Sequence, residues 1–209
     1  MANMIIKPAV GGNLLIQDRA GGAVLSTSTS GATIANSTLT APILGTPTSG
    51  TLTNCTFPDG HVLQTKNYID TSRQTHNGQT WASVVSGNIT ISVATHEVIA
   101  VLNTSAGQQG NDNSIGIRLY RGSTAIASGT GTVDCLSSHR EDGGSSWRTV
   151  TLSATVKDTP GTGTHTYYVK VCGWGSNTLY VNGSGNNGNT FGSGDARGSS
   201  SLTLWEVVA

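Results

Sequence analysis

Charged side chains are scarce in this sequence. Only 11% of the 209 residues are Asp, Glu, Lys or Arg, against about 25% in an average soluble domain, and the formal net charge is zero. Nucleic-acid binding requires a basic surface that displaces counterions from phosphates, so this balance argues against a nucleic-acid partner. Disorder driven by charge is also excluded, because it combines low hydrophobicity with high net charge.

Long apolar runs and helical periodicity are absent as well. No apolar run approaches the roughly 18 residues that span a bilayer, so we expect no membrane insertion. The opening MANMIIKPAVGG lacks the apolar core of a signal peptide, and we expect synthesis and folding in a cytoplasm. No window shows apolar residues at helical spacing over about ten positions, which favours strands over helices.

Cysteine is too sparse for a disulfide framework. The three cysteines, Cys55, Cys135 and Cys172, are an odd number and lie far apart in sequence. Their spacing matches no zinc ribbon, and free cysteine behaves as a small buried hydrophobe. We interpret them as reduced packing residues, with a pair formed in space as the alternative.

Small residues dominate instead. Glycine, serine and threonine make up about 39% of the chain, and residues 20–58 contain no charged side chain. Isolated apolar residues, among them Ile34, Leu44 and Leu52, recur between turn-forming residues in this stretch, which is typical of very short strands. Such a segment cannot bury a core alone, but several copies wound around one axis can. We therefore predict an intertwined β shaft; the alternative is a flexible linker.

The rest of the chain predicts an all-β head. Period-two alternation predicts strands over residues 89–95, 97–103, 115–121, 124–129, 148–156, 164–172, 178–182 and 201–208. Turn-rich gaps separate these strands, and about eight short strands of this kind suggest a jelly-roll β-sandwich. We divide the chain into a shaft and attachment segment (1–60), a junction (61–80) and the head (81–209).

Alternation within these strands also predicts the core of the head. The expected members are Ile89, Ile91, Val93, Ile117, Leu119, Val150, Leu152, Val169 and Val171. The final strand adds Leu202 and Leu204, which we place in the core or in a trimer interface together with Ile34, Leu44 and Leu52. Large apolar residues are few for a domain of this size, so we expect association of subunits to bury more surface.

Two segments resemble a known family. The run GTPTSGTLTNCTFPDGHVLQ and the ending SSSLTLWEVVA resemble tail-fibre and virion-fibre proteins of marine bacteriophages. The opening IIKPAVGGNLLIQDRAGGAVLSTSTSGAT is similar to the N-terminal stretches of such fibres, whereas the middle of the head matches in strand spacing and in RLYRGSTAIA.

The resemblance implies a virion structural protein made in the bacterial host. It implies a homotrimer with a tumour-necrosis-factor-like or knob-like jelly-roll head, and an N-terminus attached to capsid or tail proteins. It leaves open whether the fibre stands on the capsid or on the tail. It transfers no receptor-binding residue, because the loops of the head match least.

Catalytic and cofactor motifs are missing. Glycine-rich phosphate loops and the Gly-x-Ser-x-Gly elbow need a strand-to-helix context that this sequence lacks. Glu141 and Asp142 are adjacent in a turn and would point apart, instead of flanking a glycosidic bond. We predict no enzyme and no cofactor. We also predict no metal, although three copies of His61 on a trimer axis are an alternative ion site.

Binding residues are expected in the loops at one end of the sandwich. Aromatic faces beside amides and carboxylates suit sugars, whose C–H faces stack and whose hydroxyls form hydrogen bonds. The candidates for receptor or glycan binding are Asp112, Trp147, Trp174, Asn187, Phe191 and Asp195. Trp147 and Trp174 are alternatively core or interface residues.

Three functions compete at this point. The first is a short trimeric virion fibre whose head adheres to the host surface, by avidity for a glycan or protein. The second is a capsid decoration protein with an architectural role. The third is a monomeric carbohydrate-binding module, for which residues 1–60 would be dispensable.

Overall fold

A computed structural model describes residues 15–17, 20, 23–28, 31–34, 57–108, 113–126, 134–141, 149–173, 175, 177–183 and 197–209. Within these ranges the regular structure consists of strands and contains no helix. The chain divides into two compact units, Met1–Asn54 and Cys55–Ala209. The all-β class predicted from the sequence is therefore confirmed.

The first unit contains a small antiparallel sheet. Its three strands, β1 (Leu15–Gln17), β2 (Ala23–Ser28) and β3 (Gly31–Ile34), lie in the order β1-β2-β3. Leu25 in the central strand pairs with Ile16 on one side and with Ile34 on the other. Leu44 and Leu52 lie outside the described residues, and the shaft remains a prediction.

The second unit is richer in strands. Its described strands are β4 (Val62–Asp70), β5 (Gln74–Asn77), β6 (Ala82–Ile91), β7 (Glu97–Gln108), β8 (Asn113–Arg121), β9 (Thr124–Ile126), β10 (Ser137–Glu141), β11 (Val150–Asp158), β12 (Gly163–Gly173), β13 (Thr178–Val181) and β14 (Ser200–Val207). Strands β4 and β5 occupy the region for which the sequence predicted a junction.

These strands form two antiparallel sheets that pack face to face. The six-stranded sheet has the order β4-β14-β7-β13-β5, and β11 pairs with the other edge of β7. The five-stranded sheet has the order β10-β8-β12-β6, with β9 paired to β8. Two sheets sharing one apolar interior constitute a β-sandwich.

The core lies between the sheets, as period-two alternation requires. Along β12, Tyr167, Val169 and Val171 are fully buried, while the residues between them face outward. Leu202 and Leu204 of β14 are fully buried in the opposite sheet. Burying a side chain of this size contributes roughly 1.5–3 kcal/mol, so the interleaved rows supply most of the stabilisation.

The predicted core is mostly correct, with one clear error. Val93 is 45% exposed, because β6 ends at Ile91 and the chain turns before β7. The turn is closed by the backbone N–H of His96, which donates to the carbonyl of Val93 at 3.1 Å. Alternation in the sequence continues through residue 93, but the strand does not.

The first and last strands of the sandwich pair along their whole length. β4 pairs with β14 from Ser200↔Asp70 to Val207↔Val62. Beyond the ladder, the Gly60 N–H donates to the Val208 carbonyl at 2.7 Å, and the Val208 N–H donates to the His61 carbonyl at 3.0 Å. The entry and exit of the second unit are therefore held side by side.

A buried polar network joins the end of β4 to the residue that follows β13 and to the first residue of β14. Asn182 is fully buried with φ 58°, a left-handed conformation that asparagine tolerates. Its Nδ2 donates to the carbonyls of Asp70 and Ser72 at 2.9 and 3.1 Å. Its Oδ1 accepts from the Ser200 hydroxyl at 2.8 Å. Because these groups satisfy one another, their burial costs little free energy.

A second polar cluster ties the two sheets together. Glu206 is buried, pairs with Nδ1 of His96 at 2.7 Å and accepts from Nε2 of Gln64 at 2.5 Å. The same Gln64 amide donates across the sandwich to the Thr90 carbonyl at 2.7 Å. A buried carboxylate requires such partners, since an unpaired one is strongly destabilising.

Candidate self-association and ligand-binding surfaces

The outer face of the six-stranded sheet carries exposed apolar side chains among small polar ones. Residues that alternate with the core positions on β4 and β14 point outward here. Ile69 is 61% exposed, Trp205 and Leu63 are each 37% exposed, and Val62 at the strand end is 45% exposed. Their neighbours in the register include Thr65, Asn67, Ser201 and Thr203.

The apolar character of this face continues across β7. Trp205 pairs with Ile99, and Thr203 pairs with Val101, both half-buried on the outward side. Further out, Lys157 of β11 and Glu97 of β7 neutralise each other through an ion pair of 2.7 Å. Exposed aromatic and large aliphatic side chains that lie together are typical of interfaces between subunits.

The outer face of the five-stranded sheet has a different chemistry. Arg118 of β8 and Lys170 of β12 lie directly opposite each other on this face. Tyr120 and Tyr168 are paired in the neighbouring register position. The outward positions described on β6, β8, β10 and β12 include cations, tyrosines, serines and threonines. None of the residues that neighbour Lys170 in the register carries a carboxylate.

Arg118 is held firmly although it points away from the core. Its guanidinium carbon lies 4.3 Å from the centroid of the Trp81 ring, and its Nε donates to the Asp134 carbonyl. The side chain is consequently buried, with only 6% exposed. Stacking on an indole face suits the planar, weakly hydrated guanidinium.

Lys170 stands between two tyrosine rings. Its Nζ lies 4.1 Å from the centroid of Tyr120 and 6.0 Å from that of Tyr168. Among the residues that the structure describes, no carboxylate forms an ion pair with Lys170. The ammonium group is thus positioned by aromatic faces and remains half-exposed.

A cavity of about 230 Å³ opens on the same sheet face, beside the Trp81 ring. Its lining includes Trp81, Ser114, Gly116, Cys135, Ser138 and Cys172. Gly116 is needed here because a Cβ at this position would lie 2.9 Å from the Cβ of Cys135. The absence of a side chain on Gly116 lets the Cys135 segment pack over β8.

The two cysteines beside the cavity are free thiols, as the sequence predicted for reduced packing residues. The Cys172 Sγ donates to the Gly78 carbonyl at 3.2 Å. Burial raises the pKa of the Cys172 thiol, which therefore stays protonated and unreactive at neutral pH. Cys55 lies outside the described residues.

A buried ionic cluster closes one end of the sandwich. The Oδ2 of Asp158 accepts from the Tyr167 hydroxyl and from Nη1 of Arg121, each at 2.6 Å. Burial, followed by the hydrogen bond to Asp158, raises the pKa of Tyr167 well above its usual value. The cluster is structural, because Tyr167 is fully buried and faces the core.

The loop residues predicted to bind a receptor are not among the residues that the structure describes. Asp112, Trp147, Trp174, Asn187, Phe191 and Asp195 all lie outside the described residues. The exposed His61 stacks on Phe57 with ring centroids 4.3 Å apart and 7° between the ring planes. In the described part of the chain, no three His, Cys, Asp or Glu side chains converge as metal ligands.

Sequence reasoning overlooked Trp81, Arg118 and Lys170. A signal for two of them was present, because RLYR and YYVKVC alternate between core residues and cations or tyrosines. The stacking of Trp81 on Arg118 had no local signal, since the two residues are distant in sequence.

No protein-family model matches the chain, and no curated protein matches it significantly in sequence. No helix among the described residues is long and apolar enough to cross a membrane.

Proposed function

We propose that this chain forms a short homotrimeric fibre of a bacteriophage virion. The N-terminal unit attaches to capsid or tail proteins and winds the subunits into a shaft. The second unit is a jelly-roll head displayed for adhesion to the host surface. The proposal involves no catalysis.

Strand order supports the jelly-roll assignment. The eight main strands of the second unit are, in chain order, β4, β6, β7, β8, β10, β11, β12 and β14. Numbered one to eight, they give sheets with the orders 1-8-3-6 and 2-7-4-5. Two Greek keys wrapped in this way are the arrangement of a jelly roll.

The observation that supports a trimer is the apolar surface exposed on the outer face of the six-stranded sheet. Ile69, Trp205 and Leu63 expose large apolar surfaces beside Thr and Ser, on a sheet whose other face already fills the core. Covering them with copies of the same chain removes apolar surface from water at roughly 25 cal/mol per Å². The segment at residues 20–58 contains no charged side chain, so its copies can approach one another closely without charge repulsion.

The solution mass tests this proposal. Light scattering during size-exclusion chromatography should give about three times the chain mass of 21.4 kDa. Deletion of residues 1–58 should weaken the trimer, because it removes the proposed shaft. A mass of one chain for the full protein would contradict the fibre and favour a monomeric binding module.

Particle localisation separates the fibre from a decoration protein. Antibody labelling viewed by electron microscopy should place the head away from the shell, at the end of a projection. Label lying flat over the capsid surface would support the architectural role instead.

A further inference from the structure

We propose that Cys135 and Cys172 are a redox-sensitive pair, which closes to a disulfide when the protein meets an oxidant of the disulfide class. Both thiols are free in the structure, and both line the cavity on the outer face of the five-stranded sheet. The inference goes beyond the proposed function, because it assigns a covalent modification that needs the fold of one chain and no trimer.

Gly116 of β8 brings the two cysteines together, because it lies directly opposite Cys172 of β12. Both positions face outward, since their neighbours Ile117 and Val171 are buried in the core. Opposite residues of an antiparallel pair have Cβ atoms about 4.5–5.5 Å apart. The Cβ of Cys135 lies 2.9 Å from the point where a Cβ of Gly116 would be. Cys135 therefore takes the place of a side chain across the ladder from Cys172.

Hydrogen bonds on either side of Cys135 fix its position over β8. Before it, the carbonyl of Asp134 accepts from Nε of Arg118. After it, the N–H of Leu136 donates to the Ile117 carbonyl at 2.9 Å. A disulfide requires Cβ atoms about 3.5–4.5 Å apart, close to the spacing of opposite positions in a ladder. The segment that carries Cys135 is thus anchored where such a bond can form.

The electrostatics of Cys172 also indicate that the two thiols are close. Burial raises the pKa of Cys172, the guanidinium of Arg118 counteracts part of the increase, and the Cys135 thiol adds to it. Charges act on a neighbouring pKa in this way mainly within about 4–6 Å. The hydrogen bond from the Cys172 Sγ to the Gly78 carbonyl would be lost on closure, but a thiol is a weak donor.

Closure proceeds by two exchange steps. The Cys135 thiolate attacks one sulfur of a small disulfide such as oxidised glutathione, which releases one glutathione thiolate and leaves a mixed disulfide. The Cys172 thiolate then attacks the Cys135 sulfur, forms the protein S–S bond and releases the second glutathione thiolate. The two protons lost by the cysteines are taken up by the two glutathiones, so two electrons pass from the cysteines to the oxidant.

The second step makes closure depend on pH. At neutral pH the protonated Cys172 is inert toward reagents from solution, but the mixed disulfide is held beside it, and this proximity favours its attack. Below the pKa of Cys172, each additional pH unit increases its thiolate fraction about tenfold. We therefore expect closure of the mixed disulfide to accelerate as the pH rises.

The bond would fasten the Cys135 segment to β12, two parts of the chain that are distant in sequence. Such a cross-link restricts the unfolded chain and should raise the melting temperature by about 5–15 °C. A reducing cytoplasm keeps the thiols open, whereas oxidising surroundings close them. On a virion the head would therefore be locked after release from the cell, and this consequence alone rests on the proposed function.

Peptide mapping of the full-length protein tests the pair. The protein is incubated at about pH 8 with oxidised or with reduced glutathione, and the remaining thiols are then blocked. Mass spectrometry without reduction should find Cys135 joined to Cys172 in the oxidised sample and both cysteines blocked in the reduced one. Thermal unfolding followed by circular dichroism should place the oxidised sample about 5–15 °C above the reduced one.

Substitutions locate the bond. Cys135→Ser and Cys172→Ser should each abolish the cross-link and the difference in melting temperature, whereas Cys55→Ser should retain both. Gly116→Ala should slow closure about tenfold or more, because the added Cβ displaces Cys135. Ser114→Ala, two positions earlier on β8, should close at the rate of the unchanged protein.

No cross-linked peptide after oxidation, a bond through Cys55 in its place, or equal melting temperatures for the oxidised and reduced protein would each overturn the proposal. The solution mass separates these outcomes from failure of the fibre. A one-chain mass with the Cys135–Cys172 bond would refute the fibre and leave the pair standing. A trimer in which both cysteines stay reduced would do the reverse.

Discussion

The two outer faces of the sandwich share one core but differ in chemistry. On the six-stranded sheet, exposed Ile69 and Trp205 lie among Thr, Ser and Asn, and the Lys157–Glu97 pair is neutral. On the five-stranded sheet, Arg118 and Lys170 are stacked on Trp81, Tyr120 and Tyr168. The formal net charge of the whole chain is zero, but its charged side chains are therefore distributed unevenly between these two faces.

This difference shows how strand alternation separates the residues of the core from those of the outer faces. Every second residue of β12 and β14 is committed to the shared interior, and the residues between them are free to differ. One outward set suits burial against a second copy, because it is apolar and neutral. The other carries cations that lie against aromatic rings, which fixes their orientation.

The largest effect on stability is expected when a charge is placed on the inner side of a strand instead of on its outer side. Leu204→Asp places a carboxylate in the fully buried core and should destabilise the head by about 4 kcal/mol or more, enough to unfold it. Thr203→Asp, one residue earlier and outward-facing, should leave the head folded. Thermal unfolding followed by circular dichroism measures both variants. A folded Leu204→Asp would mean that the assignment of inner and outer sides is wrong.

An intermediate effect is expected from charge on the apolar outer face. Ile69→Asp should lower the solution mass toward that of one chain, because three carboxylates would be brought into the proposed interface. Ser86→Asp, at an exposed position of β6 in the other sheet, should retain the trimer mass. Equal masses for the two variants would remove this face from consideration as the subunit contact.

The smallest effect concerns the interior that both faces share. The folded pKa of Tyr167 lies above the unfolded value of about 10, so the folded state keeps a proton that the unfolded chain loses. The corresponding stability is complete below pH 10 and falls as the pH rises further.

Tyr167→Phe should therefore cost about 1 kcal/mol at neutral pH and flatten the alkaline decline in stability. Urea unfolding at several pH values above neutrality measures both changes. Tyr168→Phe, on the outward side of the same strand, is the matched control. An unchanged alkaline slope in Tyr167→Phe would show that its hydroxyl is not coupled to Asp158 as described.

Strands in which apolar and polar residues alternate regularly could be predicted from the sequence, whereas strands without this alternation could not. Residues 97–103, 115–121, 164–172 and 201–208 were all recognised, because one side of each strand is apolar. The strands β4, β5 and β10 were not recognised. Their segments VLQTKNYID, QTHN and SSHRE are polar, and they pair through backbone groups at sheet edges.

The candidate ligand site was less accessible to sequence reasoning than the fold. Gly116, Cys135, Cys172 and Trp81 come from four separate segments. The register of β8 with β12 pairs Gly116 with Cys172, whereas Trp81 and Cys135 lie outside the strands and reach the cavity through tertiary packing. Charge and aromatic content could be counted in advance, but stacking of Arg118 on Trp81 depends on tertiary packing. The binding residues predicted in loops lie outside the described residues, so that placement stays a prediction.

The pairing of β4 with β14 also constrains how the head is made. Gln64 and Glu206 are hydrogen-bonded partners separated by 142 residues, and β4 has no strand neighbour other than β14 among the described strands. While the ribosome is still adding the intervening chain, β4 has no edge to join, and its apolar residues stay in water. Contacts this distant in sequence make folding slow. The sandwich therefore closes only after β14 has been synthesised, and until then the edge of β4 that pairs with β14 is unpaired.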